Sequence, residues 1–286
     1  MGQRKRGRLP APSRARASTR AAAPAKGRLD ALLAERGWFE SRARAAAAVL
    51  AGEVRIGDGS SVAQKPGQLV ASDVEVFVAE APRFVSRGGI KLANALAASG
   101  VAVAGRDALD VGASTGGFTD CLLAAGARRV VALDVAYGQL SWRLRGDPRV
   151  SVIERVNARH LLRDALPYAP ELIVVDVAFI SLRTVLPAVL ACAAERFDAL
   201  ALVKPQFEVG REHVGSGGVV REPLQRQRAL VEVAGAALAM GVAVRGFWSS
   251  GLPGPKGNRE TFIQLAELSR GSCGGLAALA AEADGG

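Results

Sequence analysis

The chain has 286 residues, 49% of them apolar and 22% charged, with 37 basic against 27 acidic side chains and a formal net charge of +10. That balance supplies enough apolar material for a substantial core and a small attached unit, and it excludes a chain disordered throughout. No apolar run approaches the roughly 18 to 20 residues of a membrane helix and the first residues lack the apolar core of a secretory signal, so a cytoplasmic protein with no stable membrane association is expected.

The positive charge is concentrated at the start. Residues 1–27 hold eight Lys or Arg and no acid, interleaved with Pro, Ala and Ser. Such a segment buries too little surface to offset the entropy of ordering, so it reads as a disordered basic arm. It is either a solubilising tail or a polyphosphate-binding arm whose grip weakens with salt. From Arg28 the pattern changes. Leu29, Leu32 and Leu33 recur at helical spacing, Gly37 suits a C-terminal cap, Ser41 an N-cap, and Gly52 the end of a second helix. "GEVRIGDG" and "DVEVFV" then alternate like strands about an Asp-Gly turn, with Lys65 and Pro66 in the loop between them. A small α+β unit over residues 28–85 follows. Arg28, Arg42, Arg44, Arg55 and Lys65 could form a basic face on it, although acids slightly outnumber bases there and a plain solvated surface is the alternative.

From Ala108 onward, apolar runs alternate with helix-length segments. The runs are "ALDVG", "VVALDV", "VSVIE", "ELIVVDV" and "LALVKP". This alternation predicts a parallel sheet covered by helices on both faces, an α/β domain over residues 86–267. "VAVRGFWSS" and "RETFIQLAEL" flank the loop "GLPGPKGN" and predict a closing antiparallel hairpin. Residues 268–286, rich in Ala and Gly, read as a weak C-terminal tail. Cys121, Cys192 and Cys273 are isolated fillers, and His160 and His213 match no metal spacing, so no metal is expected.

In such a sheet ligands sit at the carboxyl ends of the strands, where a glycine loop lets the backbone approach closely. "DVGASTGGF" occupies that place after the first strand, with Gly112, Gly116 and Gly117. The spacing is neither the dinucleotide fingerprint nor the P-loop. Asp110, just before the loop, would repel a pyrophosphate and suits a ligand with positive charge. Asp134 closes the second strand, where an acid reaches ribose hydroxyls, and Asn157 follows the third. The alternative is that the glycines only turn the chain and the acids only cap helices. Four more ionisable groups stand where strand ends and loops converge: Asp176, Lys204, Lys91 and Glu260. A charge at the end of a buried strand is costly unless paired, so Asp176 and Lys204 should face each other. A lysine held near a second cation and out of water can take a proton from a hydroxyl. The alternative for all four is a structural ion-pair network. The glycine-rich "EVGREHVGSGGVVRE" reads as a mobile loop beside the site, or as plain surface, and Trp248 as core packing.

Four resemblances accompany these residues. Arg28 to Asp30, Ser41-Arg42, the "GEVRIGDG" turn, Lys65-Pro66 and Asp73 resemble the S4-type RNA-binding domain, which implies that Arg28, Arg42, Arg44, Arg55 and Lys65 contact RNA. Asp110, Gly112, Ser114, Thr115, Gly117, Phe118, Asp134 and Asn157 resemble the S-adenosylmethionine site of class I (Rossmann-like) methyltransferases. Lys91, Asp176, Lys204 and Glu260 resemble the catalytic Lys-Asp-Lys-Glu tetrad of FtsJ-like ribose methyltransferases. With the motifs "SRGGIKL", "DVGASTGGFTD", "DVAFISL", "LVKPQFE" and "GNRETF", the stretch from Arg28 to Glu267 resembles the TlyA family of rRNA 2′-O-methyltransferases, some of which carry the name hemolysin. The resemblance implies an S-adenosylmethionine-dependent enzyme that methylates a cytidine 2′-hydroxyl in ribosomal RNA on ribosomal subunits. Competing readings are a membrane-lytic protein, a catalytically inactive rRNA-binding assembly factor and a nicotinamide-cofactor binder.

Overall fold

The computed structural model describes residues 25–39, 41–50, 52–78 and 83–285, and the chain divides into two compact units between Ala81 and Pro82. Most of the basic arm lies outside the described residues. Its last residues do not belong to it: Lys26 opens a strand of the first unit, because its backbone pairs with a later strand.

The first unit runs β1 (Lys26–Arg28), α1 (Leu29–Glu35), α2 (Arg42–Leu50), β2 (Val54–Ile56), β3 (Ser61–Val62), β4 (Leu69–Ala71) and β5 (Val76–Val78). Leu29 and Leu33 from α1, Ala45 and Val49 from α2, and Val54 from β2 form its core, so the spacing of the leucines marks the buried face. Ser41 caps α2 by accepting the Arg44 N–H at 3.2 Å. β2 pairs antiparallel with β3 and β5, and β1 with β4. The strands beyond the two expected ones are two or three residues long, set by their pairing partners rather than by local alternation.

The second unit contains α3 (Arg87–Ser99), β6 (Asp107–Val111), α4 (Gly117–Ala124), β7 (Arg129–Asp134), α5 (Trp142–Arg145), β8 (Val150–Glu154), β9 (Leu172–Val175), α6 (Leu182–Leu190), β10 (Asp198–Val203), α7 (Pro205–Glu208), α8 (Pro223–Ala239), β11 (Val242–Ser249), β12 (Thr261–Glu267) and α9 (Leu276–Gly285). Its seven strands lie in the order β11-β12-β10-β9-β6-β7-β8. The five strands from β10 to β8 are parallel, and the β11–β12 hairpin closes the sheet antiparallel beside β10. Residues of β6, β9 and β10 are buried throughout, as strands covered on both faces must be. Leu109, Val111, Ile173 and Val175 pack with α6 and α8, while Ala108, Leu172 and Val174 pack with α3 and α4. The order reverses between β6 and β9, which opens a crevice at their carboxyl ends.

Two boundaries differ from expectation. Residues 83–85 belong to the second unit, where Phe84 is buried beside Leu92 and Phe118 and the Val85 N–H donates to Asp120 Oδ2 at 2.8 Å. Residues 268–286 are not a weak tail. They include α9, which buries Ala280 and Asp284 and packs on α8 and β11. Alanine is the strongest helix former, and a helix lacking a broad apolar stripe still holds when small residues let it lie close.

Candidate active site

β6 ends at Val111 and the chain turns at once. Gly112 has φ +86°, and a Cβ on it would stand 2.2 Å from the Asp176 carbonyl oxygen, so only glycine lets the loop pass this close to the end of β9. Ser114, at φ 49°, donates its N–H to Asp134 Oδ2 at 2.7 Å, and Asp134 Oδ1 accepts the Ala136 N–H at 2.7 Å. The carboxylate at the end of β7 thus fixes the glycine loop from the neighbouring strand. Gly117 begins α4 against the start of α3, where a Cβ would meet Ser86 Oγ at 2.2 Å.

Two adjoining cavities share Gly112, Ser114 and Asp176. The larger, about 690 Å³, is lined by Asp134, Val135, Val156, Asn157 and Phe179. The smaller, about 420 Å³, is lined by Thr115, Gly117 and Phe118 and by all four ionisable candidates, Lys91, Asp176, Lys204 and Glu260. Asp176 follows β9 and Lys204 follows β10, its parallel neighbour, and the two form an ion pair across the strand ends. Lys91, on α3, and Glu260, just before β12, form a second pair whose side chains are 8% and 1% exposed. Helix α3 is moored to the loop before Glu260 by Asn94, which donates to the Ser250 carbonyl at 3.0 Å, and by Arg87, which donates to the Pro253 carbonyl at 2.9 Å. Residues spread over 170 positions therefore supply two amines and two carboxylates to one wall of one cleft.

Asp110 departs from expectation. It does not line either cavity and is fully buried, with Oδ2 accepting the Thr119 hydroxyl at 2.6 Å and Oδ1 unpartnered among the described residues. The pleat turns the penultimate residue of β6 toward α4, behind the loop rather than into the cleft. Burial pushes its carboxyl up to about 7, assisted by the negative charges of Asp176 and Asp134. Asn157 lines the larger cavity and also caps the following turn, accepting the Arg159 N–H at 3.1 Å.

In the first unit, Arg28, Arg42 and the Lys65 loop come together. Arg28 holds Asp30 at 2.8 Å and Arg42 approaches the same carboxylate at 3.5 Å, while the Asp30 N–H donates to the Pro66 carbonyl at 2.9 Å. The Arg28 guanidinium brings the Asp30 carboxyl down to about 2. Arg44 is exposed on α2, and Arg55, exposed on β2, donates to the Gly59 carbonyl at 3.3 Å. No acid partner of either is found among the described residues.

Several site residues escaped the sequence. Phe179 stands 91% exposed with φ 64° and meets Phe207 in a tilted contact with ring centroids 5.4 Å apart. It lies inside "DVAFISL", and an aromatic three residues after a strand-end acid was the available signal. Asn258, 2% exposed, accepts the Val220 N–H at 2.9 Å and donates to the Gly218 carbonyl at 2.8 Å. The glycine-rich stretch expected as a mobile loop is thereby tied to the segment bearing Glu260, and it carries a Gly215–Val219 bridge of its own. Trp248 packs in the core and donates to Gln264 at 3.1 Å, as expected. Among the described residues no cluster could hold a metal ion and no helix is long and apolar enough to cross a membrane.

Residues 84–267 match the FtsJ-like methyltransferase family. Over 242 residues the chain is 51% identical to the 16S/23S rRNA (cytidine-2′-O)-methyltransferase TlyA of Mycobacterium tuberculosis, covering 84% of this chain and 90% of that one. It is 37% identical to Hemolysin A of Brachyspira hyodysenteriae over 82% of this chain and 97% of its relative. A solved structure carrying the name hemolysin, from Streptococcus thermophilus, superposes with a TM-score of 0.69 at 37% identity, covering 92% of this chain and 96% of that chain.

Proposed function

This chain belongs to the FtsJ-like methyltransferase family, and from that premise we infer that it methylates a cytidine 2′-hydroxyl of ribosomal RNA, using S-adenosylmethionine on ribosomal subunits in the cytoplasm. The observation that carries the reading is the meeting of two lysine–carboxylate pairs beside a nucleoside-sized cavity. Bound S-adenosylmethionine supplies an electrophilic methyl carbon. Asp134, Asn157 and the loop from Gly112 to Phe118 are the residues that would hold it. The larger cavity is mostly apolar with two strand-end acids, Asp134 and Asp176, a donor set suited to an adenosine whose ribose meets a carboxylate. Asp110 supports that loop from behind through its bond with the Thr119 hydroxyl.

The hydroxyl to be methylated enters the smaller cavity, where the boundary residues Gly112, Ser114 and Asp176 adjoin the donor side. Lys204, after giving up its own proton to solvent, accepts the hydroxyl proton as a neutral amine, and Asp176 holds that amine in line. The Lys91–Glu260 pair lines the same cavity, where it keeps the nucleophile oriented and excludes water. Phe179 offers the base an exposed ring at the cleft mouth. Arg28, Arg42, Arg44, Arg55 and Lys65 of the first unit bind folded RNA by its phosphates.

The test is to incubate intact ribosomal subunits with labelled S-adenosylmethionine and wild type or Lys204→Ala, then to map the product by mass spectrometry. Label is expected on a ribose with wild type, and a loss of about a hundredfold or more with the variant. Label on a base ring, or equal label with the variant, refutes the mechanism. The hemolysin name of some relatives favours a lytic second reading, and vesicle leakage independent of Lys204 is the result that would establish it.

A further inference from the structure

The turn that begins at Lys204 ends in a buried acid for which the reaction as described has no use. Lys204 opens α7, its carbonyl accepting the Phe207 N–H at 2.9 Å, and Glu208 closes the same turn with only 4% of its surface exposed. Its carboxylate reaches the other catalytic segment. Ser181 Oγ donates to Glu208 Oε2 at 2.6 Å and the Leu182 N–H donates to Oε1 at 2.7 Å. Ser181 and Leu182 begin α6, at the end of the short loop that leaves β9 with Asp176. Arg183 completes the clasp, 3.4 Å from Oε2, and donates to the Glu208 backbone carbonyl at 2.9 Å.

Ser181 caps α6 itself by accepting the Arg183 N–H at 3.1 Å. Glu208 adds a charge-assisted hold from a different segment, at a helix N-terminus that favours negative charge. Burial alone makes that charge costly, and it pushes the carboxyl upward against the pull of its donors. Between the two ends of the clasp lies Phe179, whose left-handed backbone a non-glycine residue adopts only when its surroundings impose it. The ring it meets is that of Phe207, the neighbour of Glu208.

We propose that Glu208 is a positioning residue: by clasping Ser181 and Leu182 from the turn that carries Lys204, it fixes the loop of Asp176 and Phe179 in register with the proton-accepting amine. The kinetic consequence rests on the methyltransferase reading, but the structural one does not. Without the Glu208 carboxylate the two segments remain joined by the Asp176–Lys204 pair, the Phe179–Phe207 contact and the Arg183 bond to the Glu208 backbone carbonyl, and the loop samples other arrangements. Displacement of the reacting groups by about an ångström costs on the order of a hundredfold in rate.

The test compares full-length Glu208→Ala and Glu208→Gln with wild type by hydrogen exchange of residues 176–182, thermal unfolding and steady-state methylation of ribosomal subunits. Glutamine keeps an acceptor for the Leu182 N–H in the same volume. With alanine, exchange in 176–182 is expected to rise about tenfold while peptides of β6 and β7 keep their protection. The same variant is expected to lose kcat by about tenfold or more at unchanged KM for subunits, with glutamine restoring most of it. If Glu208→Ala does not fold, Ser181→Ala, which removes one hydroxyl of the clasp, carries the exchange measurement with the same expected direction. Wild-type exchange in 176–182 of the alanine variant, or a kcat loss no larger than the unfolded fraction, overturns the proposal. An inactive wild type would instead refute the functional reading, and the exchange result would still decide the role of Glu208.

Discussion

At the scale of single residues, the chemistry of this site is set by how carboxylates are buried. Asp110 sits in the sheet layer with one oxygen on Thr119 and the other unpartnered among the described residues, and burial raises its carboxyl from the ordinary 3.8 to about 7. The unfolded chain releases that proton near pH 4, while the folded chain keeps it to about pH 7. Stability from this group is therefore full below pH 4 and is lost as the pH rises through 7. Wild type is expected to lose on the order of 3 kcal/mol more than Asp110→Asn between pH 5 and pH 8 in urea unfolding. Equal losses would mean that Asp110 is ionised throughout. "DVGASTGGF" reveals the loop, but the direction in which Asp110 points follows from strand pleat and from the packing of α4. Lys91 and Glu260 are legible as charges near strand and loop ends. Glu208 is not, because one acid in "KPQFE" looks like surface until Ser181 and Leu182 are placed against it.

At the scale of elements, the periodic segments were legible and the irregular ones were not. Strands β6, β7, β9 and β10 follow near-continuous apolar runs, since strands covered on both faces admit little else. α9 escaped because "LAALAAEADG" shows neither cap nor stripe. It is held instead by Asp284, whose oxygens accept from Arg226 Nε at 2.6 Å and Nη2 at 2.8 Å across to α8. Arg226 also donates to the Arg221 carbonyl at 2.6 Å, so the pair ties α9 to the glycine-rich segment as well. Asp284→Ala leaves a mostly buried guanidinium without its carboxylate and is expected to cost about 3 kcal/mol in urea unfolding. Exposed Glu282→Ala, two residues away, should stay within about 0.5 kcal/mol. Equal effects of the two would show that α9 contributes only its surface.

At the scale of the whole molecule, the chain forms two units with separate cores, and the proposed function assigns docking to the first and chemistry to the second. Exposed Arg42 and Lys65 are expected to act on RNA affinity alone. Their replacement by alanine should raise KM for subunits, lower the salt slope of binding by about one for each charge removed, and leave S-adenosylmethionine affinity unchanged. A change in donor affinity with no change in salt slope would remove the first unit from RNA recognition. Composition and periodicity by themselves determined the two-unit plan, the parallel sheet and its carboxyl edge, because burial on one face or two leaves its mark on neighbouring residues in the chain. They also marked Asp176 and Lys204, since an ionised side chain at the end of a buried strand stands out, whereas the family resemblance joined Lys91 and Glu260 to them. Only the tertiary structure decided that Asp110 turns inward, that Phe179 is held in a left-handed backbone, and that Glu208 and Asn258 join separate loops. Those outcomes depend on contacts between segments far apart in the chain, whose mutual register no local preference records.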